Sequence, residues 1–340
     1  MTDQESSGHR RIAVIGGSGF IGSRLCGRLA MRGHAVINVD IQPPKPGIPG
    51  EHVSCDVRDR PLLRASLSQC TGVVLLAAEH ADNVRPVEKY HDVNANGASV
   101  VASVCAELGI AQIVFTSSVA LYGLNPDYAD EGHPLEPFNP YGRSKLEAER
   151  VLMKWQLEQP SRCLCVVRPV VVFGPGNRGN VYNLLRQIQA SVFAMVGDGE
   201  NRKSMAYVEN VADFLVHLLG KGSGLHLFNY ADKPDLSMRE LIGIVRAHQG
   251  KASAPVPRVP YALGLAVGYA LDAVAAVSGR SFPVSAIRIK KFCANSCVDA
   301  SKAQRDGFTP ARTLAQGLSE MCDAEFPKNT PSLSQTGRTA

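Results

Sequence analysis

Short apolar runs alternate with longer segments whose apolar residues recur every three or four positions, through the first two-thirds of the chain. The runs RIAVI (11–15), AVINV (35–39), HVSCDV (52–57), GVVLLAA (72–78), AQIVFTSS (111–118) and SRCLCVVRPVVVFG (161–174) read as six mostly buried strands. Residues 20–32 and 88–108 carry the helical period between them. Strands alternating with helices predict an α/β fold built on a doubly wound parallel sheet. In such a sheet, ligands collect at the strands' carboxyl ends, where Gly16, Asp40, Asp56, Ala77, Ser118 and Pro169 fall.

The last third has a different texture. LSMRELIGIVRAHQG places Ser237 and Glu240 at capping-box spacing and ends at Gly250, which marks a helix at both ends. From 259 to 278 the only charged residue is Asp272, and Pro260 suits a helix start. That length approaches a membrane span, but the many alanines and two internal glycines make it less greasy than most. It fits either a buried helix of a second lobe or a lipid-touching one, which would make a membrane-surface contact through 259–278. The basic residues Arg288, Lys290 and Lys291 follow, as phosphate contacts or as a solvated edge.

No repeat or linker separates the parts. The expected organisation is a dinucleotide-binding domain at 11–175, with 207–230 returning to it. A smaller, mostly helical substrate lobe is expected from 176–206 and 231–326. The polar ends, 1–10 and 327–340, read as disordered tails.

Composition narrows the class without choosing a function. The chain has 340 residues, 45% hydrophobic and 20% charged, as in ordinary soluble domains. Its net charge of +5 is spread along the chain, which suits an anionic small molecule and excludes the clustered footprint of a nucleic-acid binder. Nine cysteines occur with no Cys-x-x-Cys pair, and Cys293 and Cys297 have no nearby histidine, so no metal site is expected. Small buried thiols and an N-terminus without a signal-peptide pattern point to the cytoplasm.

The stretch RIAVIGGSGFIGSRLCGRLAMRGHAVINVD places Gly16, Gly19 and Gly22 between a strand and a helix, with Asp40 ending the next strand. This is the setting a Rossmann-like dinucleotide site requires. Gly16 permits the tight turn, Gly19 the approach of a pyrophosphate, and Gly22 the packing of helix on strand. The helix N-terminus offers N–H groups to the phosphates. Asp40 would accept from the ribose hydroxyls and repel a 2′-phosphate, and no arginine follows in DIQPP, which favours NAD over NADP. Asp56 and Val57 are offered to an adenine edge.

NPYGRSKLEAER (139–150) sets Tyr141 and Lys145 on one face of a helix, and Ser118 ends the fifth strand. Together they give a hydroxyl to hold a substrate, a phenol to move its proton, and a cation between. Tyrosine has a pKa of about 10, so a base near neutral pH needs a drop of about 3 units, or roughly 4 kcal/mol. One ammonium at about 5 Å and an effective dielectric of about 20 supplies roughly 3 kcal/mol. The positive ring of an oxidised nicotinamide would add the rest, and Lys145 is also placed to bind the nicotinamide ribose.

GGSGFIG, VVLLAAEH, VNANGASVV, FTSSVALYG, NPYGRSK and VRPVVVFGPGN, in this order, resemble the extended short-chain dehydrogenase/reductase superfamily. More narrowly they resemble its NAD-dependent epimerase/dehydratase family, which acts mostly on nucleotide sugars. The resemblance runs from about residue 11 to 219 and implies catalytic roles for Ser118, Tyr141 and Lys145. It puts Gly16, Gly19, Phe20, Ile21, Gly22, Asp40, Asp56, Val57, Ala77, Ala78, Asn94, Ser117 and Pro169 on cofactor-lining positions, together with Tyr141 and Lys145. It also implies a homodimer formed by helices at 88–108 and 141–159, a closing helix in DGFTPARTLAQGLSEM, and a diphosphate contact at Lys203 with Arg202 beside it. Lysine gives a point charge there instead of a bidentate fork. Asn180 is a further candidate substrate contact.

The reaction follows from what is missing. Sugar dehydratases of the family need a carboxylate where this chain has Thr116-Ser117-Ser118-Val119, and decarboxylating relatives carry a glutamate there, so both are disfavoured. A nucleotide-sugar 4-epimerase needs only the three groups found, and is the expected activity. A sugar keto-reductase or dehydrogenase, and a 3-beta-hydroxysteroid dehydrogenase with its own apolar C-terminal segment, stand as alternatives. A non-catalytic NAD sensor would lack the tyrosine or the lysine.

Overall fold

The computed structural model describes residues 9–81, 84–124, 127–251, 256–280 and 285–327. Of the expected tails, 1–8 and 328–340 lie outside the described residues. Arg10, expected to fray, is instead anchored: its guanidinium donates to the Leu219 carbonyl at 2.9 Å and to Gln112 Oε1 at 2.7 Å.

Among the described residues, seven strands form the central sheet: β1 (Arg11–Ile15), β2 (Ala35–Asp40), β3 (Glu51–Ser54), β4 (Gly72–Leu75), β5 (Gln112–Thr116), β6 (Cys163–Pro169) and β7 (Gly224–Tyr230). All neighbours are parallel, in the order β7-β6-β5-β4-β1-β2-β3. Every residue of β4, β5 and β6 is buried because helices cover both faces, which is why these strands read as continuous apolar runs. One face packs Leu25, Leu29, Val211, Phe214 and Leu218. The other packs Leu63, Val101, Cys105, Leu152 and Trp155. The strand order turns back between β1 and β4, which opens a crevice at their carboxyl ends.

Two elements depart from expectation. The sixth apolar run is two strands: pairing in the central sheet ends at Pro169, which has no N–H for the ladder. Val171–Phe173 then joins Arg202–Tyr207 and Asp232–Ser237 in a second, three-stranded sheet. The helical stretch 88–108 contains a π turn at Asp92–Asn96. This turn aims Asn94 inward, where it donates to Glu79 O at 3.0 Å and to Ser144 Oγ at 2.8 Å.

The second sheet and the helices Asn180–Gln189, Met238–His248 and Leu314–Glu325 share a separate core of Phe173, Leu185, Met205, Tyr207, Leu241, Leu318 and Met321. The Met238–His248 helix carries the capping box its sequence predicts. Ion pairs of Arg24 and Arg28 with Glu209, at 3.2 and 3.0 Å, clamp the first helix to Val208–Leu218 beside the junction of the two cores.

Candidate active site

A cleft of about 490 Å³ runs along the carboxyl ends of the central strands. Its floor is the turn after β1. Gly16 adopts φ +90°, and a Cβ there would lie 2.6 Å from the Ala77 backbone nitrogen. At Gly22 a Cβ would lie 2.2 Å from the Gly16 carbonyl oxygen. Gly19 caps the Phe20–Met31 helix with no side-chain bond, so the first-turn N–H groups beside the cleft have no side-chain acceptor. Asp40, at the end of β2, accepts from Ser18 N at 3.0 Å and Gln42 N at 2.9 Å, which fixes its carboxylate at the rim.

Asp56, Val57, Ala77, Ala78, Ser117 and Pro169 also line the cleft. So does Arg58, a residue the sequence reading passed over. Its guanidinium is held by Asp56 at 2.9 and 2.6 Å, and that hydrogen bond holds the Asp56 carboxyl below its ordinary range. The guanidinium is thereby spent on a carboxylate and is not presented to a 2′-phosphate.

These residues fit a dinucleotide. The glycine turn leaves room only where a side chain is missing, and the uncapped helix end suits a pyrophosphate. Deeper in the cleft, the hydroxyls of Thr116 and Ser117 are buried without a hydrogen-bond partner, as groups awaiting a polar ligand would be.

Ser118 follows β5 and caps a short 3-10 turn (Val119–Tyr122), its Oγ accepting from Ala120 N at 3.1 Å. The helix Pro140–Leu157 enters at the cleft with Asn139 Oδ1 accepting from Gly142 N at 2.7 Å and Pro140 in its first turn. This start brings Tyr141 and Lys145 into the cleft lining with Ser118. Burial pushes the Tyr141 phenol up, and its hydrogen bond with Ser118 opposes that. Lys145 is only 2% exposed, donates to the Thr116 carbonyl at 2.8 Å, and stands 4.8 Å from the centre of the Phe115 ring. Burial pushes its ammonium down to about 7, with the Glu149 carboxylate pulling the other way.

The Lys145 ammonium was expected to supply most of the drop in the Tyr141 pKa, but within the protein alone the phenol is pushed up instead. Desolvation favours the neutral form of both side chains and works against the attraction between their charges.

Behind Lys145 lies a buried network that the sequence reading did not name. Glu149, one turn on, is held by Arg168 of β6 through two bonds of 2.9 and 2.6 Å, and these side chains are 1% and 2% exposed. Arg168 also donates to Tyr122 Oη at 2.9 Å, and Tyr122 Oη donates to Asn229 Oδ1 at 2.6 Å. Burial works against the Arg168 charge, and Glu149 with Tyr122 together more than offset it, so its pKa is raised. The signal was present: an arginine inside an apolar strand needs a buried partner, and KLEAE repeats the four-residue step from Lys145.

Not every candidate meets here. Asn94 stands behind the cleft wall, bracing Glu79 and Ser144 without lining the cleft. Asn180 is exposed at the start of the Asn180–Gln189 helix, while Asn177 lines the cleft instead. Lys203 Nζ is occupied by the carbonyls of Lys291 and Ala294, at 2.9 and 2.6 Å, closing the C-terminus of the Ala286–Cys293 helix. Arg202 donates to the Asp235 carbonyl at 2.7 Å and pairs with Glu240. Both basic side chains are fastened within the second lobe and do not reach the cleft lining. Among the described residues, no cluster of three or more His, Cys, Asp or Glu side chains could hold a metal, and each of the nine cysteines is a free thiol.

A parallel sheet in this strand order, with a glycine turn and a Ser-Tyr-Lys set at one crevice, defines a dinucleotide-dependent enzyme working on an alcohol or ketone. The profile of the NAD dependent epimerase/dehydratase family matches residues 12–230, and the chain belongs to that family. Among curated proteins, the chain is 44% identical over 317 residues to N-acetyl-alpha-D-glucosaminyl-diphospho-ditrans,octacis-undecaprenol 4-epimerase of Escherichia coli O157:H7. That match covers 93% of this chain and 95% of the relative. A 2-alkyl-3-oxoalkanoate reductase of Stenotrophomonas maltophilia is 26% identical, over 91% of this chain and 97% of the relative. Among solved structures, a Thermotoga maritima UDP-glucose 4-epimerase with UDP-glucose superposes with a TM-score of 0.72 at 21% identity. It covers 93% of this chain and 98% of that one, a likeness of fold. The chain is thus an NAD-dependent enzyme of epimerase type.

Proposed function

We propose that this enzyme is a 4-epimerase of sugars carried on a diphosphate, nucleotide sugars included, and that its own carrier is a polyprenyl diphosphate bearing N-acetylglucosamine. Catalysis is assigned to Tyr141, Ser118 and Lys145, and cofactor binding to the glycine turn, Asp40 and the cleft residues named above. Residues 11–175 with 207–230 serve the cofactor, and 176–206 with 231–326 the sugar. The observation that carries the reading is the convergence of Ser118, Tyr141 and Lys145 in one cleft with the glycine turn.

NAD, when bound, supplies a reversible hydride acceptor and a positive ring. The chain supplies the rest. Ser118 Oγ holds the sugar hydroxyl against the phenol, and Tyr141 takes that hydroxyl's proton and returns it. Lys145, anchored on the Thr116 carbonyl, stabilises the phenolate while it lasts. Dehydration would need a protonated carboxyl at the sugar. Glu79 does line the cleft, but its hydrogen bond with Lys89 keeps it below the ordinary range and therefore ionised.

The 44% identity along nearly the whole of both chains favours the polyprenyl carrier over a nucleotide. The proposal extends to a membrane-surface contact through 259–278 and to a homodimer through 88–108 and 141–159. The enzyme would work on the cytoplasmic side of that membrane, where its free thiols persist.

The test uses the purified protein supplied with NAD. Undecaprenyl diphosphate N-acetylglucosamine in detergent and UDP-N-acetylglucosamine are offered separately, and the 4-epimers are resolved by chromatography. Interconversion of the lipid-linked sugar, faster than that of the nucleotide sugar and without net NADH, is expected. Turnover of the UDP-sugar alone removes the polyprenyl carrier. No interconversion of either removes the epimerase reading.

A further inference from the structure

The helix Tyr261–Ser278 inverts the usual relation between polarity and burial. It is long and apolar enough to cross a membrane, yet only 11% of its residues are buried within the protein. Its two buried residues are Gly264 and Gly268, one turn apart. A Cβ at Gly264 would meet Val196 at 2.8 Å, and one at Gly268 would meet the Ala286 backbone at 2.8 Å. The helix thus lies close against the lobe along a narrow glycine seam. Leu263, Val267, Tyr269, Val274 and Val277 are turned outward, with Val277 92% exposed. A contiguous apolar face of this kind marks a surface that is covered in use.

The charges around it indicate by what. Between 251 and 298 the chain has six basic residues, Lys251, Arg258, Arg280, Arg288, Lys290 and Lys291, and one acid, Asp272. That acid is engaged, accepting from Ala286 N at 3.0 Å. Arg288, Lys290 and Lys291 sit on the next helix, Ala286–Cys293, all exposed, and Lys290 Nζ donates to Tyr269 Oη at 2.8 Å. Asp198, beyond the Val196 that packs on Gly264, is an exposed acid on the same side, near Cys293. Apolar side chains flanked mainly by cations match a bilayer surface with anionic headgroups.

Both flanks of the helix are tied to the same lobe. Arg258–Val259 pairs with Met195–Val196, and Ala286 is held by Asp272 and Gly268. Eighteen residues also reach only about 27 Å, short of a hydrocarbon core of about 30 Å.

We propose that the Tyr261–Ser278 helix and the basic Ala286–Cys293 helix form a membrane-docking surface, on which the enzyme rests with the apolar helix in the plane of an anionic bilayer. This extends the membrane contact of the proposed function and rests on it for its purpose. Position supports it. Lys291 Nζ lies 5.1 Å from the centre of the Phe138 ring, and Phe138 directly precedes Asn139, the cap of the helix that bears Tyr141. The docked face therefore adjoins the entry of the catalytic helix, where a sugar tethered to a lipid would arrive.

Co-sedimentation of the full chain with vesicles tests this, using phosphatidylcholine alone and phosphatidylcholine mixed with phosphatidylglycerol. The wild type should pellet with the mixed vesicles and far less with phosphatidylcholine alone. Lys290→Gln with Lys291→Gln should weaken binding by about fivefold per charge. Leu263→Glu with Val267→Glu and Val277→Glu should abolish it while leaving the melting temperature and NAD content unchanged. A wild type that stays in the supernatant with mixed vesicles overturns the proposal. So does a triple variant that pellets like wild type, or one whose only change is dissociation of a dimer. Activity on the detergent-dispersed substrate is read in parallel: pelleting without turnover would count against the function, and turnover without pelleting against the docking surface.

Discussion

Two helices of this protein are each 18 residues long and are built in opposite senses. Pro140–Leu157 is polar in sequence, yet buries Lys145, Glu149, Trp155 and Gln156. Tyr261–Ser278 is apolar almost throughout, yet buries only two glycines. Charged side chains are rarely buried and contiguous apolar faces are rarely exposed unless something compensates. In the first helix the compensation lies inside the chain, as the Glu149–Arg168–Tyr122–Asn229 network and the Thr116 carbonyl. In the second, no described part of the chain covers the outward face, and the proposed membrane surface would supply the cover. On the proposed reading, the first inversion serves catalysis and the second docking.

The sharpest way to break the first half of this contrast is Tyr141→Phe. It removes only a hydroxyl, so bound NAD should be kept while turnover falls about a hundred- to ten-thousand-fold, the range for one lost acid–base group. Absorbance of the protein and the epimerisation rate report the two separately, and a near-normal rate would refute the assignment.

Next in size is Glu149→Gln, which strands the Arg168 charge in the interior. Removing one partner of a buried pair costs about 3–5 kcal/mol, and thermal melts should show it. Adding Arg168→Met should recover much of the loss. A single variant that melts like wild type would mean the pair is not buried in solution.

Lys145 gives a pH effect of known sign. Its ammonium titrates near 7 in the folded chain, against about 10.4 when exposed in the unfolded one. Between those values the unfolded state binds more protons, so stability should rise with pH from 7 toward 10, by at most about 1.4 kcal/mol per unit. Below 7 the cost of the buried charge is fully present. Melting curves of the cofactor-free wild type and of Lys145→Met should diverge in this window, and parallel curves would contradict the burial.

The second helix sharpens the contrast at smaller scale. Gly268→Leu drives a side chain into the Ala286 backbone and should cost about 1–3 kcal/mol without altering NAD binding. Leu263→Glu, on the outward face of the same helix, should change stability by no more than about 0.5 kcal/mol. Equal losses from the two would mean that the outward face is packed.

Legibility in the sequence followed the same divide. The runs that became β1 through β6, the glycine turn, and the Tyr141–Lys145 step are local patterns, and each was readable because one short stretch carries it. Ser118 was readable from its place at a strand end. What escaped were pairings between distant segments. Arg168 meets Glu149 from another element, and Lys203 turns from its expected diphosphate to the carbonyls of Lys291 and Ala294 at the end of a helix. Arg58 was a local miss, since it pairs with Asp56 two residues back. Asn94 was expected at the cofactor, but a π turn with no pattern of its own aims it at Ser144. For the Tyr261–Ser278 helix, composition left buried and lipid-touching open, because hydropathy alone does not say which neighbour a side chain has.

The central claim is that the protein's own groups exchange only the proton of a sugar hydroxyl, through Tyr141, which bonds to Ser118 and shares the cleft with Lys145. Its most direct test is to run the epimerisation of the lipid-linked sugar in heavy water and examine the ring carbon that inverts. The account predicts inverted product with no deuterium on that carbon. Deuterium fixed there at each turnover would mean that a side chain had taken the carbon-bound proton, and would contradict it.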